Sequence, residues 1–383
     1  MSVPTHKIDI HAAGDSMSHA IDLHRRLLTL DAHLDTPIHF ARAGWHFDER
    51  HDLADDVAQL DMPRMQGNLS GGFFVIYTAQ GPLTEEAYGA ALASARQRSR
   101  EIDETLARFS DRIGPAVTAA DAHRLNGEGR MVAFRSIENS YPIGEDLGLL
   151  AEFHAHGVRM AGPVHVRANQ LADSSTDTPR WNGLSALGED WVTEMNRLGM
   201  VIDASHASDA AFDRMLELSR SPLVLSHSGT RGFYDHPRNL DDDRIRALAA
   251  RGGVIGFTTI YLSAMHMASE RAGLFRTMGH IGDLSVTEQV DLARRWNALE
   301  DAAPMWRAGF EDYMAALLHT IAVAGVDHVC FGADWDGGGG VEGLRDVTAL
   351  PRVTERLLEA GFSEGDLEKM WSGNLLRVLS EAG

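Results

Sequence analysis

The chain has one cysteine, Cys330, in 383 residues. That excludes an intrachain disulfide framework and any zinc site built from several thiolates. Clusters of Lys and Arg are missing too, and the formal net charge is −20, from 55 acidic against 35 basic side chains. Phosphate backbones are held by clustered cations, so no nucleic-acid partner is expected. An anionic substrate would have to be gripped by local cations rather than drawn in by the overall field. No apolar run reaches the length of a membrane span. Residues 1–7 carry no basic stretch leading into an apolar one, so no secretory signal is expected and the chain reads as cytoplasmic. No Gly-x-Ser-x-Gly elbow occurs, and Cys330 sits inside an apolar run, so neither a serine nor a cysteine nucleophile is indicated.

What the chain does have is an ordinary globular composition, 44% hydrophobic and 23% charged, with no low-complexity linker. A single domain spanning 1–383 is expected. A unit recurs along it: a helical pattern, a glycine stop, then a short β-branched run. Examples are His156-Gly157-Val158, Leu198-Gly199-Met200-Val201-Ile202, Gly252-Gly253-Val254-Ile255 and Ala324-Gly325-Val326. Glycine past a helix ends it, and the apolar run enters a buried parallel strand. Eight strands follow from this reading: 28–35, 71–78, 131–138, 158–165, 200–206, 223–227, 254–259 and 328–334. Between the second and third, Thr84 caps a helix that runs to about Phe109. Eight strand-helix units predict an α/β fold, a (β/α)8 TIM barrel, with a lid-like insertion at about 261–312 after strand seven. An open doubly wound sheet is the alternative, disfavoured because no glycine-rich phosphate fingerprint follows the first strand.

In such a barrel the active site lies at the C-terminal strand ends. His33 and Asp35, two apart at the end of the first strand, point to one face and together suit zinc or a similar divalent ion. Further candidates close later strands: Glu138 the third, His165 the fourth, His206 the fifth, His227 the sixth and Asp334 the eighth. Taken singly, each is explicable as a helix-cap neighbour, a satisfied strand-end histidine or the start of a turn. Together at one end of a barrel they point to a metal centre. Four terminal ligands and one carboxylate able to bridge, Glu138, suffice for two ions roughly 4 Å apart, which acidify water and polarise a substrate oxygen. His11, His24, His39, His51 and His236 read as structural or surface residues.

These motifs, with Ile137-Glu138-Asn139, Ser226-His227-Ser228, Arg238-Asn239, Gly332-Ala333-Asp334-Trp335-Asp336-Gly337 and the closing Gly373-Asn374-Leu375-Leu376-Arg377, carry a resemblance over nearly the whole chain. It resembles the renal-type (membrane) dipeptidases, zinc peptidases of the amidohydrolase superfamily. The resemblance implies two Zn2+ per chain, one on His33 and Asp35 and the other on His206 and His227, bridged by Glu138 and a hydroxide. It further implies that His165 contacts the substrate and its tetrahedral intermediate, that Asp334 handles the proton, and that Arg238 binds the substrate carboxylate. The substrate is then a free dipeptide, including one with a C-terminal D-residue, and a homodimer is expected from the family alone. Mammalian members have a signal, a lipid-anchor region and disulfide cysteines that are lacking here, so a bacterial-type intracellular relative is expected. The segment after strand seven aligns poorly, and Tyr261 stays only a candidate for substrate contact. Rival readings are another metal-dependent hydrolase of the same barrel, acting on N-acyl amino acids, lactones or phosphoesters, and a metal-binding scaffold without catalysis.

Overall fold

The computed structural model describes the backbone of residues 10–383 and the side chains of residues 18–383. Residues 1–7, read above for a signal, and the side chain of His11 lie outside them. The four glycines of the recurring unit all take positive φ: 88° at Gly157, 68° at Gly199, 77° at Gly252 and 84° at Gly325. A Cβ resists that conformation, which is why glycine stands at each stop. A parallel strand follows each one.

The strands are β1 (Leu30–Leu34), β2 (Gly71–Tyr77), β3 (Ile113–Pro115), β4 (Met131–Glu138), β5 (Val158–Ala161), β6 (Val201–Ile202), β7 (Val224–Ser228), β8 (Val254–Phe257) and β9 (Val329–Phe331). They pair in the order β6-β5-β4-β2-β1-β9-β8-β7, and a parallel bridge from Asp203 to Val224 joins the two ends. Eight parallel strands thus close into the expected barrel. β3, which pairs only with β4, was not anticipated; three residues leave too short a pattern to read. Expected strands four, five and eight are each several residues shorter than their apolar runs, because the chain leaves the ladder before the polar residues that end them. The helix Glu85–Arg108 matches its prediction, with Thr84 as N-cap accepting from the Ala87 N–H.

One buried cluster joins Leu30, Ala32, Phe73, Val132, Phe134, Val224, Val254 and Cys330 of the strands to Leu375, Leu376 and Leu379 of the last helix, Asn374–Ala382. That helix plugs the end of the barrel opposite the polar residues. A larger cluster packs the remaining strand face against the surrounding helices. Strand register slips between Asp31 and Leu34 on β1 and between Leu225 and Ser228 on β7. Such bulges re-aim side chains. Here they let Ala32 and His33, and likewise Ser226 and His227, serve the barrel interior and the site above it.

Between β8 and the helix Phe310–Ala324 lie two helices, Ser269–Met278 and Val286–Ala302. Leu274, Ile281 and Leu292 pack with Ile38 and Val57 from the segment after β1. Gln289 accepts from Arg42 Nε at 3.1 Å, and Trp306 Nε1 donates to the Gly338 carbonyl at 2.9 Å. All these partners follow the C-terminal ends of β1 and β9. Among the described residues no helix is long and apolar enough to cross a membrane.

His24 is structural, as expected. It is buried between the first helix, Ile10–Arg26, and Leu350–Glu359, where Nε2–H donates to the Asn68 carbonyl at 2.8 Å and Nδ1 accepts from Thr354 at 2.7 Å. Burial lowers its pKa from 6.5 to about 4. Between those values the unfolded chain binds a proton that the folded chain does not. The stability is therefore full above pH 6.5 and lost as pH falls toward 4, by up to about 3 kcal/mol. Urea unfolding from pH 7 to 4 checks this: wild type should lose stability more steeply than His24→Gln, and parallel profiles would exclude the assignment.

Candidate metal centre

The expected residues converge at the C-terminal mouth of the barrel. His33 and His227 lie within β1 and β7, Glu138 ends β4, and Asp35 stands one residue beyond β1. His165, His206 and Asp334 lie past their strands on the loops that follow β5, β6 and β9. These loops are backbone-strained. Among the described residues, non-glycine positive φ occurs at Asn139, Asn182, His206, Tyr261, Asp334 and Asp336, and all but Asn182 lie on stretches that directly follow β4, β6, β8 or β9 at the mouth. Each such residue costs on the order of 1–3 kcal/mol, a strain that persists only where the surroundings enforce it.

Glu138 is the hub. Its Oε2 faces His33 Nε2 at 3.6 Å, while its Oε1 faces His206 Nε2 at 2.9 Å, His227 Nε2 at 3.4 Å and His165 Nε2 at 3.8 Å. His33 Nε2 also lies 3.4 Å from Asp35 Oδ2 and 3.8 Å from Asp334 Oδ1. The Nε2 atoms of His206 and His227 are 2.9 Å apart. Three overlapping groups of donor atoms can each hold an ion: His33, Glu138 and His227; Glu138, His165 and His206; and His33, Asp35 and Asp334. Gly337 passes over this cluster so closely that a Cβ there would sit 2.2 Å from Asp35 Oδ2 and 2.4 Å from Asp334 Oδ1. Only glycine leaves both carboxylates free to turn inward.

The electrostatics fit divalent cations. Burial first, and then the neighbouring Asp35, pushes the Asp334 carboxyl well above the usual range. Burial raises Asp35 as well. Glu138 is buried too, yet His165 and His33, and after them the close-lying rings of His206 and His227, hold it well below its ordinary value. Burial, helped by nearby positive charge, keeps His206 and His227 neutral, which is the ligand form of imidazole. His33 is the exception: burial opposes its charge, but Glu138 and Asp35 raise its pKa well above 6.5. Its buried Nε2 has no hydrogen-bond partner. An imidazolium there stands where an ion would neutralise the same carboxylates. Neutral histidine nitrogens and carboxylates around one small space are a donor set for zinc or a similar ion.

Arg238 is buried rather than a surface partner of the following aspartates, since Asp241 caps the next helix and pairs with Arg244. Arg238 donates from Nη1 to Ser228 Oγ and from Nη2 to the His227 carbonyl, both at 2.7 Å. Its Nε has no partner, and among the described residues no carboxylate is paired with it. A buried guanidinium with spare N–H groups is an anion receptor. Tyr261 stacks on His236 with ring centroids 4.1 Å apart, and the Asn239 amide donates to the Tyr261 carbonyl. His236 is half-buried and accepts from the Arg238 N–H at 3.2 Å, a structural contact. His39 is structural: its Nε2 lies 3.3 Å from Asp336, which also accepts from Thr36 and from the Gln59 N–H. Tyr77 was missed by sequence reasoning. It ends β2 and sits edge-on to His165, centroids 5.2 Å apart, and its place at a strand end was the available signal.

Known proteins resemble this chain over most of its length. Dipeptidase tcpJ of Claviceps purpurea is 29% identical over 392 aligned positions, covering 100% of this chain and 80% of its own. Dipeptidase aclJ of Aspergillus oryzae is 30% identical over 331, covering 84% of this chain and 70% of its own. The crystal structure of the probable dipeptidase PvdM from Pseudomonas aeruginosa superposes with a TM-score of 0.82 at 29% identity, covering 96% of this chain and 98% of that one. The sequence model of the family described as membrane dipeptidase (peptidase family M19) matches residues 17–383, and the chain belongs to that family.

Proposed function

We propose that the protein is a metal-dependent dipeptidase with a binuclear centre. The observation that carries this is Glu138, whose two carboxylate oxygens face different imidazoles, Oε2 toward His33 and Oε1 toward His206 and His227. Two divalent ions, one on His33 and Asp35 and one on His206 and His227 with Glu138 between, would acidify water and polarise a peptide carbonyl. The histidine-rich donor set favours zinc. Arg238 holds the C-terminal carboxylate of the dipeptide through its unpaired N–H groups. His165, lying beside Glu138 and partly open to solvent, donates from Nε2 to the oxygen that becomes negative as the carbonyl is attacked. Asp334, whose Oδ1 lies 3.8 Å from His33 Nε2, accepts the attacking water's proton at a carboxylate oxygen and returns it to the departing amine. The chain acts as one domain, and residues 261–312 form a cover over the mouth, a reading supported by the docking of their helices on the segments after β1 and β9.

Three measurements test this. Elemental analysis should find two ions per wild-type chain, and Glu138→Gln should weaken both, because an amide bridges two cations poorly; one ion or none in active protein excludes a binuclear centre. Asp334→Asn should keep the metal content and lower kcat by about 10²–10⁴-fold. Loss of metal along with activity would make Asp334 a ligand instead. Finally, wild type should strongly prefer free dipeptides over their C-terminal amides, and Arg238→Ala should lower kcat/KM for free dipeptides by about 10–150-fold and largely erase that preference. Equal cleavage of amides and free dipeptides by wild type would remove the carboxylate clamp and favour an N-acyl amino acid or lactone hydrolase. Replacing the C-terminal L-residue by its D-form in the same assay decides whether D-residues are accepted.

A further inference from the structure

Building on the reading of His33 and His227 as metal ligands, we infer that Ser226 and Asp203 are positioning residues. Together they set the ring orientation and tautomer of both histidines through one hydroxyl, and so tie the two ion sites to each other. The Ser226 Oγ lies 3.1 Å from His33 Nδ1 and 2.8 Å from His227 Nδ1. A serine hydroxyl has one hydrogen to give and two lone pairs to receive. Its hydrogen goes to Asp203 Oδ2, 2.5 Å away, since a carboxylate can only accept. The two lone pairs therefore face Nδ1–H groups on both rings. In that tautomer each Nε2 offers its lone pair toward Glu138, where an ion would be held. His206 is outside this arrangement, as its buried Nδ1 has no partner. The Ser205 hydroxyl, 3.4 Å from Ser226 Oγ, accepts from the His227 backbone N–H and touches neither of the two rings.

The dyad exists because of how the barrel closes. β6 has two residues, and the seam to β7 is the single Asp203–Val224 bridge, in which the Ala204 N–H donates to the Val224 carbonyl. The buried Asp203 carboxylate takes over the ladder's work: Oδ1 accepts from the N–H groups of Ser205 and Ser226, both at 2.9 Å. β7 is thereby drawn inward at Ser226. Glycine on the facing strands allows it, because a Cβ on Gly332 or Gly256 would sit 1.7 or 2.2 Å from the Ser226 carbonyl oxygen. Outer partners of ligating histidines ordinarily act on one ring each. Here a single hydroxyl serves two neighbouring rings that face different oxygens of Glu138.

The test uses zinc-loaded protein and competition with EDTA. Ser226→Ala should weaken both ions together, by about 10–100-fold, whereas Ser205→Ala, which loosens the same seam without touching the rings, should hold both as wild type does. A Ser226→Ala protein that binds both ions at wild-type strength, or loses only one, overturns the inference. A second measurement needs no variant. In zinc-loaded wild type labelled with 15N-histidine, the rings of His33 and His227 should both be in the Nδ1–H form, and an Nε2–H ring at either position overturns the inference even if Ser226→Ala does not fold. Wild type that binds fewer than two zinc ions would instead refute the binuclear reading beneath it, a result distinct from either of these.

Discussion

Three carboxylates, the buried Glu138 and Asp334 and the partly buried Asp35, surround a single imidazole nitrogen, His33 Nε2, with Asp35 at 3.4, Glu138 at 3.6 and Asp334 at 3.8 Å. Carboxylates so close and so poorly solvated repel one another, and burying a charge costs several kcal/mol unless it is balanced. Among the described residues the compensating cations are few: His33 drawn toward its charged form, Arg238, which is turned toward Ser228 and the His227 carbonyl, and Arg98, which is paired with Glu101. That shortage of positive charge makes the cluster a receptor for small cations. It also explains the division among the histidines, of which His33 is drawn toward the charged form while His206 and His227 stay neutral.

Holding such a cluster takes backbone that the rest of the barrel would not tolerate. Positive φ at Asn139, His206 and Asp334, bulges on β1 and β7, and a seam of almost no ladder between β6 and β7 all lie at one end. The opposite end is conventional. There, side chains such as Phe73, Phe134 and Val254 pack on the plug of the last helix, each stabilising by roughly 1.5–3 kcal/mol when fully buried. The apolar end thus offsets the strain of the polar end, and the polar residues can be arranged for chemistry rather than for stability.

Much of this was legible in the chain. Glycine stops followed by β-branched runs announced parallel strands, since a strand covered on both faces reads as continuous apolar sequence. The polar residue ending each run marked the mouth, and His33 with Asp35 fell on one face by the period of two. What was misjudged shares one cause. Strands five and eight, and the tail of strand four, leave the ladder early because His206, Asp334 and His165 must reach the centre from loops, two of them at positive φ. Residue type cannot report that departure, because the force producing it comes from partners far away in sequence. Tyr77 and the Ser226–Asp203 dyad escaped notice for the same reason.

By itself the sequence determined the element types, their order, and the set of residues with ligand chemistry, because propensity and hydrophobic period are local properties. Tertiary structure decided which oxygen of Glu138 faces which histidine, that Arg238 is buried with N–H groups to spare, and that one serine serves two rings. Those are facts of distance between segments nearly 200 residues apart, as with His33 and Ser226, where the separation is 193. They are fixed when barrel closure brings β1 and β7 to face each other across the mouth, and no local pattern encodes that approach.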